Sequence, residues 1–152
     1  MKTRFAVAAV VLLVAASCSM NNTSGNKIPE PEVRLDQTST MPAAAEYVTG
    51  GIPVSFLMEV TNRAAVPITL KRVAVVSVGE AGGYTVPQES VPFNVVLAPG
   101  ASESVTFTIV AINQGFNVTG SNEPVTIRVT SVYETSEGTL QNIVLRQVSG
   151  IH

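Results

Sequence analysis

The chain of 152 residues is 45% apolar, 13% charged and 5% aromatic, has no Trp, and carries a formal net charge of −2. With charged residues at about half the usual share of roughly 25% and an ordinary apolar fraction, a disordered polyelectrolyte and a long coiled coil are both excluded. Nine basic residues scattered over the whole length form no stripe to neutralise a phosphate backbone, so nucleic acid is not an expected partner.

Lys2 and Arg4 precede Phe5 to Ala16, twelve residues without a charged or polar side chain. A basic start and a short apolar run make a secretory signal, whereas a transmembrane helix needs about 20 apolar residues. The run closes in Ala15-Ala16-Ser17-Cys18, small residues in the three positions before the only cysteine. This resembles the lipobox of bacterial lipoproteins, although Ala15 stands where that family most often has Leu. The resemblance implies cleavage of a signal peptide over residues 1–17, a diacylglyceryl group on the Cys18 thiol and acylation, such as palmitate, of the new amino group. The other reading is an ordinary signal peptide cut after an Ala, with Cys18 a free thiol. An odd cysteine in an exported protein needs an explanation, and lipidation supplies one.

Two or more acyl chains, at roughly 0.8 kcal/mol per buried methylene, hold a protein on a membrane essentially for good. Ser19 rather than Asp follows the cysteine, which by the same resemblance implies the outer membrane, with the domain facing the periplasm. Loss of residues 1–17 leaves 7 basic and 11 acidic residues, a net charge of −4. The lipid anchor, not a basic patch, is then the membrane contact. Residues 18–30 comprise the modified cysteine and a run rich in Asn, Ser, Thr, Gly and Pro, which reads as a flexible tether.

Residues 31–152 read as strands throughout, because apolar and polar residues alternate with a period of two. Short candidates lie near Glu32 to Thr38, Tyr84 to Pro87, Phe93 to Leu97 and Leu140 to Val148. The clean strands set Val54, Phe56, Met58 and Val60 against Ser55, Glu59 and Thr61, with Leu57 out of phase. Val105, Phe107, Ile109 and Ala111 oppose Ser104, Thr106 and Thr108. Val125, Ile127, Val129 and Tyr133 oppose Thr126, Arg128 and Thr130. From Ile68 to Val78 the phase changes across Lys71-Arg72, which predicts a bulge or a strand covered on both faces. Gly50-Gly51, Gly82-Gly83, Pro99-Gly100, Gly120 and Gly138 punctuate the runs. The expected fold is an all-β, immunoglobulin- or fibronectin-like antiparallel sandwich of seven to eight strands.

Pro31-Glu32-Val33-Arg34-Leu35, a strand ending Val60-Thr61-Asn62, and Val66-Pro67-Ile68-Thr69-Leu70 opening a long apolar strand together resemble the late embryogenesis abundant type 2 family. That family includes the water-stress and hypersensitive-response domain. Ala98-Pro99-Gly100 before the alternating run Ser104 to Ala111 fits the same pattern. Asn62 and Pro67 are the matching motif residues, and Arg63 stands where the family has the Pro of an Asn-Pro pair. The resemblance covers roughly residues 31–133 and implies a structural or stress-protective role. Read from chemistry alone, Asn62 is a turn residue that adopts a left-handed conformation or bonds its own backbone.

Catalytic chemistry finds few residues to work with. His152, the only His, is the last residue, a poor general base for a Ser-His-Asp arrangement. Zinc lacks ligands, and Asp36 is the only Asp, so no calcium loop is expected. Glu134 and Glu137 read as a solvated hairpin tip, with a weak cation site the alternative, and Lys71-Arg72 as a solvated strand face or bulge, with an anion site the alternative. Gly79-Glu80-Ala81-Gly82-Gly83 lacks the Lys-Ser/Thr of a phosphate loop. Phe116 is a candidate loop contact, while Tyr47, Tyr84, Phe93 and Tyr133 read as core or rim.

No enzyme activity, metal, cofactor or small-molecule substrate is expected. Two functions compete. One is a non-catalytic envelope lipoprotein with a structural or stress-protective sandwich. The other is an adhesion or assembly module that recognises a protein partner through loops or an edge strand.

Overall fold

Burial follows the side-chain alternation strand by strand. The computed structural model describes residues 28–39, 51–79, 84–113 and 124–148. In strand β2 (Gly51–Thr61), Ile52, Val54, Phe56, Met58 and Val60 are buried, and the residues between them are exposed or half-buried. Leu57, out of phase in the sequence, sits on the solvent side opposite Asp36 and Thr106. The other strands are β1 (Glu32–Gln37), β3 (Ile68–Ser77), β4 (Tyr84–Thr85), β5 (Glu89–Leu97), β6 (Ser102–Asn113), β7 (Val125–Thr135) and β8 (Gly138–Val148). Gly51, read as punctuation, is the first residue of β2.

All pairings are antiparallel and form two four-stranded sheets, ordered β1-β2-β6-β4 and β5-β3-β7-β8. The two sheets pack face to face as an antiparallel β-sandwich, and the chain visits β4, beside β6 in the first sheet, before it returns to β5, beside β3 in the second. The expected fold class and strand number are both met. Between the sheets, Phe56 and Phe107 are cross-strand partners whose rings stack at 5.5 Å. Such a pair adds about 0.5–1.5 kcal/mol beyond its buried area. Tyr133, Met58, Ile68, Leu70, Leu97, Ile109 and Ile127 fill the rest of the central layer. Packing begins ahead of β1, since Pro31 is buried and Ile28 rests against the core.

The phase change at Lys71-Arg72 is a β-bulge. Leu70 pairs with Tyr133 and Arg72 with Val132, so β3 holds one residue more than β7 at this point. Ile68 and Leu70 face inward before it, and Val73 and Val75 after it. Without the extra residue, one of these two pairs would be turned to solvent.

Turn chemistry matches the punctuation at two sites. Ala98 to Ala101 closes with a bond from Ala101 N to Ala98 O at 3.0 Å, with Pro99 second and Gly100, at φ 74°, third. That is a type II turn, whose third position requires positive φ. Thr135 to Gly138 forms the β7–β8 hairpin, in which the Thr135 hydroxyl accepts from Glu137 N and donates to Gly138 O, both at 3.0 Å.

Candidate functional site

Of the residues singled out from sequence, Ala15, Ala16, Ser17 and Cys18 lie outside the described residues, as do Tyr47, Glu80 to Gly83, Phe116, Gly120 and His152. Asn62 and Pro67 fall in the β2–β3 connection, where Pro67 is exposed and Asn62 fully buried. The Asn62 amide donates to Val66 O at 2.9 Å and Leu97 O at 3.1 Å, and its Oδ1 accepts from Ala64 N at 2.9 Å. Its backbone N bonds Ala101 O, and its backbone O receives Gly100 N. Asn62 thus ties its own loop, the end of β5 and the type II turn together, a structural clamp rather than a ligand contact. The backbone-bonding half of the chemical expectation holds. The left-handed half does not, because no described non-glycine residue has positive φ.

Polar residues also close the sides of the sandwich, and sequence did not reveal this. Asn142 donates to Pro31 O at 3.4 Å, and Arg146 reaches Asp36 at 3.3 Å, joining edge strand β8 to edge strand β1. Opposite, the Glu89 carboxylate on β5 accepts Val110 N of β6 at 3.1 Å. Asn142, Arg146 and Glu89 all stand at inward-facing register positions, and Pro92 interrupts β5. Inward charges and proline on edge strands discourage the addition of another strand. Inside the core, the Tyr133 hydroxyl and Asn142 Oδ1 are buried without a hydrogen bond among the described residues. Burial pushes the Tyr133 phenol up to about 12, against an opposing effect of the neighbouring Ser131 hydroxyl.

Two concavities of about 180 Å³ lie on the opposite outer faces. The first, on sheet β1-β2-β6-β4, is lined by Glu32, Arg34, Glu59, Thr61 and Arg63 and is electrically balanced. The Arg63 guanidinium grips the Glu32 carboxylate, Arg34 stands 3.8 Å from it, and together they hold Glu32 below the usual carboxylate range.

The second lies on sheet β5-β3-β7-β8 and is lined by residues that include Arg72, Ala74, Val76, Arg128, Thr130 and Val132. Three cross-strand rows build it: Arg72-Val132-Gln141, Ala74-Thr130-Ile143 and Val76-Arg128-Leu145. The small middle row makes the hollow, and an arginine stands at each end. Of the six described Lys and Arg residues, Arg34, Arg63, Lys71 and Arg146 each have an acidic partner. Arg72 and Arg128 have none among the described residues. Ile143 and Leu145, 59% and 62% exposed, continue the face towards β8.

The bulge explains why Arg72 is available. It sets Lys71 and Arg72 on the same outer face, and Lys71 takes Glu134 at 3.5 Å and Asn94 at 3.3 Å. Glu137 is left at the exposed hairpin tip. Among the described residues no three His, Cys, Asp or Glu side chains are grouped as metal ligands.

No family model matches the chain, and no curated protein sequence is detectably similar to it. Among solved structures, the chain is similar to the structural genomics target SoR45, with a TM-score of 0.48 and 11% identity over 82% of this chain and 87% of that one. It is similar to the putative ApaA protein of Bordetella pertussis, with a TM-score of 0.48 and 14% identity over 80% and 92%. It is similar also to Spo0M, a sporulation control protein of Bacillus subtilis, with a TM-score of 0.44 and 14% identity over 82% of this chain and 51% of that one.

Proposed function

We propose that this chain is a non-catalytic envelope lipoprotein, held on the outer membrane through Cys18 and presenting its sandwich to the periplasm in a structural or stress-protective role. The observation that carries the reading is the run from Lys2 to Cys18, a basic start and a short apolar stretch closing on small residues and a lone cysteine. The part of residues 18–30 that precedes Ile28, which rests against the core, serves as the tether that lets the domain stand off the bilayer. The protective role follows the type 2 resemblance around Asn62 and Pro67, and the pairing of four of the six described cations with carboxylates suits non-specific shielding.

The anchor is tested by the intact mass of the protein extracted from membranes, beside a Cys18→Ala variant. A mass of residues 18–152 plus acyl chains, absent in the variant, supports it; a plain polypeptide in the soluble fraction refutes it. Protection is tested separately, by drying a labile enzyme with the purified protein or with an equal mass of inert protein. Equal loss of activity in both would reject that role.

A second reading, a module that binds a protein partner, is favoured by one observation. The only two described cations without an acidic partner flank the same hollow. The inward charges on edge strands β5 and β8 favour a face of the sandwich over these edges for such binding.

A further inference from the structure

We propose that the outer face of sheet β5-β3-β7-β8 docks an extended acidic segment of a partner protein, with two carboxylates four residues apart taken by Arg72 and Arg128 and an apolar side chain between them seated over Ala74 and Thr130. The proposal deepens the binding-module reading and does not depend on the lipid anchor.

Charge complementarity selects an anion. The chain carries a net charge of −2, yet this hollow has two guanidinium groups and no carboxylate in its lining. Its counterpart of equal volume on the other sheet has two acids and two bases. Guanidinium forks take carboxylates bidentately, which gives direction as well as attraction.

The register sets the spacing. Arg72 pairs with Val132, four residues from Arg128 on β7, so the two Cα atoms lie roughly 14 Å apart along and across the sheet. In an extended peptide, side chains on one face recur every second residue, so carboxylates at positions i and i+4 span roughly 13–14 Å. The residue midway meets the low ground formed by Ala74 and Thr130. Val76, Val132, Ile143 and Leu145 supply apolar contact around it.

Other anions fit this face less well. Bases and sugar rings are gripped by stacking on aromatic side chains. The described aromatics, Phe56, Tyr84, Phe93, Phe107 and Tyr133, all lie in the core or pack against it. Anionic lipid surfaces are met by clusters of about four to eight cations, and two are too few. Apolar side chains on an extended backbone are the remaining match for exposed Ile143 and Leu145. Three short rows make a footprint well under a standard interface of about 800 Å² per partner, so a single segment binds weakly and exchanges fast.

The test uses the full chain as purified, in zwitterionic detergent, and a dye-labelled peptide containing Glu-Ser-Val-Ser-Glu. Fluorescence anisotropy is measured beside the same peptide with both Glu replaced by Gln. Saturable binding is expected in the high-micromolar range, at least tenfold weaker for the Gln peptide and weakened by salt. Arg72→Gln with Arg128→Gln should cost at least tenfold as well, with an unchanged unfolding midpoint, while Arg34→Gln in the balanced hollow leaves binding intact. Equal binding of the two peptides, binding that survives the double variant, or none at millimolar peptide would overturn the proposal. Phosphatidylglycerol vesicles captured through the same arginines would assign the face to lipid, and an arginine-dependent dimer in sedimentation would assign it to a second copy. Either of these also overturns it. The mass measurement at Cys18 is independent, so failure of the anchor and failure of the docking face are told apart.

Discussion

Replacing Asn62 by Ala removes three side-chain hydrogen bonds from a residue with no exposed surface. Ala64 N and Leu97 O lie in buried residues and would lose their partner, while Val66 O is half-buried and can recover water. A buried group left unpaired costs about 1–3 kcal/mol and a half-buried one less, so with two buried groups the variant should lose about 2–6 kcal/mol. Set against a total stability of about 5–15 kcal/mol, that is a large fraction. Urea unfolding followed by far-ultraviolet circular dichroism measures it, since the chain has no Trp. Asn62→Asp sharpens the test, because a carboxylate would face two carbonyl oxygens and only its protonated form can donate to one. Its folded pKa would lie above its unfolded value, so this variant should be more stable near pH 4 than near pH 7, losing stability as pH rises through the folded pKa. A loss below about 1 kcal/mol for Asn62→Ala would refute the assignment of Asn62 as the clamp between the loop and the β5–β6 turn.

Tyr133→Phe removes a buried hydroxyl that makes no hydrogen bond within normal geometry among the described residues, and should change stability by less than about 1 kcal/mol or raise it, as read in the same urea titration; a larger loss would mean that the neighbouring Ser131 hydroxyl bonds it in solution. With the Tyr133 phenol at about 12 against an ordinary value of 10, its neutral form is favoured in the fold. Its contribution is complete below pH 10 and is lost as pH rises towards 12, so phenolate absorbance should appear together with alkaline unfolding. Glu32 is held low chiefly by Arg63, so Arg63→Gln should raise the Glu32 pKa in a carboxyl carbon titration by NMR, and an unmoved value would mean the pair is not formed in solution. In the wild type that contribution is present above the unfolded carboxylate pKa and is lost as pH falls through the lower folded one. Gly100→Ala places a Cβ at φ 74° and should cost about 1–2 kcal/mol in a thermal melt; a neutral result would mean that the turn relaxes to another type.

Alternation made the clean strands legible because each buries one face, and a period of two survives in the residues themselves. Even the bulge could be read, since Ile68 and Leu70 stand in one phase and Val73 and Val75 in the other. The pairing order was not legible: nothing local says that β1 lies beside β2 while β3 lies between β5 and β7. For that reason Arg72 and Arg128, 56 positions apart, could not be seen as two ends of one hollow. Asn62 was visible as a turn residue, but its reach to Leu97 depends on where β5 ends in space. Asn142 and Arg146 sit at inward positions of an edge strand, where an alternating pattern reports polarity without saying that another edge is within reach.

The links between β1 and β8 have a mechanical meaning. Pro31 meets Asn142 and Asp36 meets Arg146, so the two strands run in the same direction although they belong to different sheets. The start of β1 and the end of β8 consequently lie at opposite poles. A pull applied between the N-terminal side of Glu32 and the C-terminal side of Val148 acts along both strands. The ladder between β1 and β2 and the two cross-sheet links are then strained in shear, many bonds at once, instead of being unzipped one by one. A domain held at its N-terminus and tugged from its far end therefore resists extension through an edge strand of only six residues.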